Sequence, residues 1–118
     1  MEQGRLLMIT CKDSVRFSIL RYEIISIFEK LFSVFKQFGY PVIVTCGTEA
    51  HGPDDPHTHG LALDLRSKHI QTDIAKEEIA DTLRRTLGSI YTVLLENKGK
   101  DNEHFHIQIR KDLWRTML

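Results

Sequence analysis

Two short stretches constrain the fold of this chain more than anything else in it: "GLALDLR" at 60–66 and "HFHIQIR" at 104–110. Both alternate. In the first, Leu61, Leu63 and Leu65 share one side of an extended strand, and Gly60, Ala62, Asp64 and Arg66 share the other. In the second, Phe105, Ile107 and Ile109 oppose His104, His106, Gln108 and Arg110. A strand with one apolar and one polar side belongs to a sheet covered on one face only. The covering layer must come from elsewhere in the chain.

Two helical segments can supply it. In "SILRYEIISIFEKLFSVFKQFG" (18–39), Leu20, Ile24, Ile27, Phe28, Leu31, Phe35 and Phe38 recur in steps that form one stripe, ended by Gly39 with Pro41 beyond. Such a stripe reads as core. In "TDIAKEEIADTLRRTLG" (72–88), Thr72 is the expected N-cap, Ile74, Ile79, Leu83 and Leu87 form the expected buried face, and Gly88 is the stop. Further strands are expected at "RLLMIT" (5–10), "VIVTC" (42–46) and "IYTVLLE" (90–96). "GTEAHGPDDP" (47–56) is a long loop, of the kind that often carries function. The polar turn "NKGKDN" (97–102) makes the closing pair of strands an antiparallel hairpin. The expectation is one α+β domain over 1–118: a small antiparallel sheet with helices packed on one face.

Composition narrows the function. Sixteen basic and sixteen acidic residues cancel, which argues against a nucleic-acid binder, including a histidine-rich nuclease. No run of about 18 apolar residues suggests a membrane span. The opening "MEQGRLLMIT" lacks a secretory layout, so the chain is expected to be cytoplasmic as made. Cys11 and Cys46 read as buried thiols.

All six histidines fall in two segments: His51, His57, His59 and His69, then His104 and His106. If both apolar strand faces meet the same helices, Asp64 and His106 fall on a common open side, bordered by His57 or His59. Two histidines and one carboxylate form a catalytic zinc set with a fourth position open to water. Zinc acidifies that water and polarises a carbonyl, which suits amide hydrolysis. Glu103, just before the strand of His106, is the candidate general base. The bland alternative is a solvated sheet face with Asp64 paired to Arg66 or Lys68.

The pattern resembles bacterial and phage zinc peptidases of the D-alanyl-D-alanine carboxypeptidase and L-alanyl-D-glutamate endopeptidase type. These carry Ser-x-His-x-x-Gly-x-Ala-x-Asp, then Glu-x-x-His or His-x-His at the head of a strand. "DPHTHGLALD" places His57, Gly60, Ala62 and Asp64 in register, and "EHFHIQ" supplies both forms of the second motif. The resemblance implies the fold of the Hedgehog signalling domain and D,D-peptidases. It implies Zn2+ on His57, Asp64 and His106, Glu103 as base, and His104 beside the metal stabilising the transition state, with His59 not a ligand. It implies a peptidoglycan stem peptide as substrate, reached after release or lysis, and a compact phage-like member. Two departures stand out. Asp55 occupies the motif's serine position, and "CGTEAHG" lacks the arginine that usually holds the substrate carbonyl, leaving His51 for the oxyanion role. A different outcome on the same scaffold is a non-catalytic, metal-containing binding domain. Retention of Glu103 favours the enzyme.

Overall fold

The computed structural model describes residues 8–17, 20–48 and 52–117. The expected strand at 5–10 therefore falls partly outside the described residues, and His51 falls outside them entirely. Five strands form one sheet in the order β1-β2-β3-β5-β4: β1 (Ile9–Cys11), β2 (Val42–Cys46), β3 (Ala62–Arg66), β4 (Tyr91–Glu96) and β5 (His104–Ile109). The helices are α1 (Tyr22–Ile25), α2 (Phe28–Gln37) and α3 (Asp73–Leu87), followed by a 3-10 helix, η1 (Lys111–Thr116).

The sheet is mixed rather than wholly antiparallel. β1 pairs with β2 in parallel, and the other three pairings are antiparallel. The chain leaves β1, crosses through α1 and α2 and returns in the same direction, which is how parallel neighbours are joined. β4 and β5 form the expected hairpin, with Asn97 at φ 54° and Gly99 at φ 80° in its turn.

The long helix expected over 18–39 is two helices. The i→i−4 ladder breaks at Ser26–Ile27, where Ile27 N–H bonds the Ile24 carbonyl at 3.2 Å and Ser26 Oγ donates to the Glu23 carbonyl at 3.1 Å. A serine hydroxyl bonding back to the chain, beside β-branched isoleucines, weakens a helix locally. The stripe survives the break: Ile24, Ile27, Leu31 and Phe35 are buried, with Leu20, Phe28 and Phe38 packed around them.

α3 starts at its expected cap, Thr72 Oγ1 accepting from Ala75 N at 3.1 Å, and stops at Gly88 with φ 90°. Ile79, Leu83 and Leu87 are buried, but Ile74 is 73 % exposed. Five residues separate Ile74 from Ile79, so the two point about 140° apart on a helix. Ala75 takes the inward position instead.

Helices and sheet share one core. Val42, Val44, Leu61, Leu63, Leu65, Val93, Phe105, Ile107 and Ile109 join Ile24, Leu31, Phe35, Ile79 and Leu83 in a single buried cluster. Phe35 meets Phe105 edge-on at 5.8 Å. That burial fixes which side of β3 and β5 faces away from the helices. Among the described residues no helix is long and apolar enough to cross a membrane.

Candidate metal centre

Register builds the site. Asp64 lies directly opposite His106 and Arg66 opposite His104, while His106 faces Leu94 and His104 faces Glu96 across β4. Directly paired residues point to the same side of a sheet. With the leucine and phenylalanine rows buried, Asp64, His104 and His106 share the side away from the helices.

His57 arrives from a turn above that side. Its backbone N–H donates to Asp55 Oδ1 at 2.8 Å, so Asp55 caps this turn. Gly60, at φ 71°, swings the chain from the turn into β3, a conformation that glycine takes without strain. His57 Nδ1 meets the Gly47 carbonyl at 2.9 Å, and Nε2 meets Asp64 Oδ1 at 3.1 Å. Gly47 is required there, because a Cβ would lie 2.2 Å from the Arg16 carbonyl oxygen. His59 turns elsewhere: its Nε2 bonds the Pro53 carbonyl at 2.6 Å.

The proton inventory around Asp64 is informative. A carbonyl only accepts, so His57 Nδ1 carries hydrogen, and a neutral His57 would aim its Nε2 lone pair at the Asp64 carboxylate. His106 repeats this. Its Nε2 sits 2.8 Å from Gln108 Oε1, whose amide NH2 donates to the Ile109 carbonyl, and its Nδ1 sits 2.8 Å from the same Asp64 Oδ1. His104 is alike, with Nδ1 2.8 Å from the Asn102 carbonyl, Nε2 2.9 Å from Glu96 Oε1 and 3.7 Å from Asp64 Oδ2. Each ring thus donates through one nitrogen and presents the other to a carboxylate. Such contacts are favourable when the second nitrogen is protonated or when a cation lies between. Imidazoles whose far nitrogen is held by a carbonyl or amide oxygen are the usual outer arrangement of a metal site.

The charges agree. Burial pushes His57 and His106 down, but the hydrogen bond to Asp64 and its charge raise both above the ordinary imidazole value. Burial pushes Asp64 up, yet the bonds from His106 and His57 hold it well below the usual carboxylate range. Two imidazolium rings would stand 5.3 Å apart beside a single carboxylate. A divalent cation supplies the same positive charge without that repulsion.

Among the described residues, metal-ligating atoms within 4.8 Å of one another fall into two groups that share Asp64: Cys46, His57 and Asp64, and Asp64, His104 and His106. The donor set therefore fits a metal ion. Cys46 and Glu96 belong to this neighbourhood although neither was a sequence candidate, and Gln108 lies on the His106 face as strand alternation expects. Glu96 could have been found from the hairpin register alone. A cavity of about 480 Å3 opens beside the cluster, lined by Lys12, Cys46, Asp64, Arg66, Lys68 and His104 among others.

Glu103 reaches the rim of that cavity, but its carboxylate is turned away from the histidines. One residue before His104 on β5, it has the opposite strand parity. Oε1 accepts from Ser67 Oγ at 2.6 Å and lies 2.7 Å from Lys76 Nζ, and Oε2 accepts from Gly99 N at 2.9 Å. Burial raises its pKa, but Lys76, Ser67 and Gly99 outweigh that and bring it from 4.5 to about 2. The carboxylate expected as the base is thus held by Ser67, Lys76 and Gly99 in this structure.

No protein family, curated protein or solved structure with which the chain was compared matches it.

Proposed function

We propose that this chain is a zinc-dependent peptidase acting on peptidoglycan stem peptides, with His57, Asp64 and His106 as the metal ligands. The observation that carries the reading is the convergence of His57 Nε2 and His106 Nδ1 on one oxygen of Asp64, at 3.1 and 2.8 Å, beside an open cavity. Substrate class rests on the motif resemblance. What a zinc ion supplies at such a centre is Lewis acidity, toward water and toward a scissile carbonyl.

The chain's own residues contribute the rest. Gly47 and Gln108 orient the two imidazoles through their far nitrogens. Asn102 orients the His104 ring, whose Nε2 stands beside Glu96 and Asp64, a place from which it can hydrogen-bond an oxyanion formed at the centre. Glu103 has a positioning role, tying the start of β5 to α3 and to the end of β3. Lys12 and Arg66 line the cavity beside Lys68, which is paired with Asp101, so its wall carries charges of both signs.

One observation favours the alternative, a metal-containing binding domain without catalysis: the engagement of Glu103 leaves the centre without the expected base. Digestion of purified peptidoglycan by the zinc-loaded protein, with mass analysis of released fragments, separates the two. Release of peptide fragments that a chelator abolishes supports the peptidase. Stoichiometric zinc with no fragments at any enzyme concentration supports the binding domain.

A further inference from the structure

Strand parity misplaces Cys46. In "VIVTC", Val42 and Val44 face the helices, and simple alternation would send Cys46 to the same side, as one more core thiol. The β2–β3 register contradicts that. Val44 pairs with Leu65, but Cys46 pairs with Asp64, so two steps along β2 match one step along β3. The extra residue, Thr45, is a β-bulge, and a bulge reverses the facing of the residues after it. Cys46 is thereby turned from the leucine side to the side of Asp64. It is 8 % exposed, and its sulfur lies within the 4.8 Å group formed with His57 and Asp64. Bulges recur where a side chain must be re-aimed beside a site.

We propose that Cys46 is a thiolate ligand of the metal, joining His57 and Asp64 on the β2 flank of the centre, with His106 as the donor from β5. The sequence resemblance assigns no such ligand. From zinc bond lengths, N, O and S donors around one tetrahedral ion stand roughly 3.3 to 3.6 Å apart, and Cys46, His57 and Asp64 offer donor atoms that all lie within 4.8 Å of one another. On binding, the thiol proton leaves to solvent as the metal–sulfur bond forms. A thiolate biases the site toward zinc, cobalt and cadmium over magnesium or calcium. Four protein donors can also complete the coordination without substrate, so a peptide or water must displace one of them to react. The inference rests on the metal reading but not on catalysis: it holds equally for a peptidase or a binding domain.

The test is cobalt(II) titration of the whole chain, followed by absorption. A thiolate ligand gives an intense near-ultraviolet sulfur-to-cobalt band in addition to the weak visible bands of tetrahedral cobalt. The expected result is one such band per cobalt in the wild type, kept in Cys11→Ser and lost in Cys46→Ser while the visible bands remain. A parallel measurement needs no variant: zinc should slow alkylation of Cys46 by more than about tenfold, leaving the exposed Cys11 unaffected as an internal control. Visible bands without the near-ultraviolet band, or equal alkylation of Cys46 with and without zinc, would overturn the thiolate and leave the peptidase reading standing. A band that tracks Cys11 overturns it as well. Failure to bind cobalt or zinc at all overturns both the thiolate and the metal centre.

Discussion

Glu103→Gln gives the sharpest test, because a catalytic base and a structural anchor predict opposite outcomes. A base can be replaced by the nearly isosteric amide at no cost to the fold. The structure predicts a cost. Glu103 is 5 % exposed, and its partner Lys76 has a side chain that is 13 % exposed and lies 2.7 Å away. Glutamine can keep the bonds to Ser67 and Gly99 but, among the described residues, leaves the Lys76 ammonium with the Asp73 carboxylate, 3.8 Å away and largely in solvent. The fall of the Glu103 pKa from 4.5 to about 2 corresponds to roughly 3 kcal/mol of folding stability at most. Solvent screening at the end of the strand and the fallback to Asp73 reduce this to about 2 kcal/mol. For a domain of this size that is a Tm lower by about 8 °C. The pH dependence has a definite sign. A carboxylate whose folded pKa is depressed stabilises the fold fully above its unfolded pKa near 4.5, and loses that contribution as pH falls toward about 2. Urea unfolding of wild type and variant should therefore differ most at about pH 6 to 7, an assay range chosen around neutrality, and converge as pH falls through that window. The double variant Glu103→Gln/Lys76→Met should recover part of the loss, since it leaves no unpaired buried charge. A variant as stable as wild type at neutral pH, or a gap that does not narrow on acidification, would refute this account and return Glu103 to the role of base.

Other outcomes rest on the same contacts. His57→Ala and His106→Ala should each lower zinc occupancy in protein purified without added metal, measured by elemental analysis, whereas His59→Ala, whose ring bonds the Pro53 carbonyl, should not. His104→Ala should lower turnover by about 10²- to 10³-fold with little change in zinc content, read by kinetics on a released stem peptide; unchanged turnover removes His104 from the chemistry. Asp64→Asn should weaken metal binding more than either histidine variant, because Asp64 belongs to both donor groups, and competition with a chromophoric chelator ranks the three. Thr72→Ala should cost about 1 kcal/mol by removing the cap on Ala75 N, with zinc content untouched.

The local patterns in this sequence carried a good part of the architecture. Period-two alternation put the leucines of β3 and the phenylalanine and isoleucines of β5 on one side and Asp64, His104 and His106 on the other, because the pleat leaves no other choice once one side is buried. Period 3.6 found the stripe of α1 and α2 and the inner face of α3, and Thr72 and Gly88 marked its ends through backbone groups that any helix must satisfy. Two misses were local: the helix breaks at Ser26–Ile27, where the Ser26 hydroxyl bonds back to Glu23, and Ile74 stands about 140° from Ile79 around α3. Others depend on partners distant in the chain, as the parallel pairing of β1 does. The ion pair of Glu103 was not legible, because nothing near it in sequence discloses Lys76, 27 positions earlier on α3. Cys46 could be read as core because alternation is a property of one strand, whereas a bulge exists only relative to the strand beside it. The sequence by itself determined which residues each element can turn to a common face. Only the tertiary structure decided which charges meet across elements and where register slips by one, since both are set by pairing between strands and helices rather than within them.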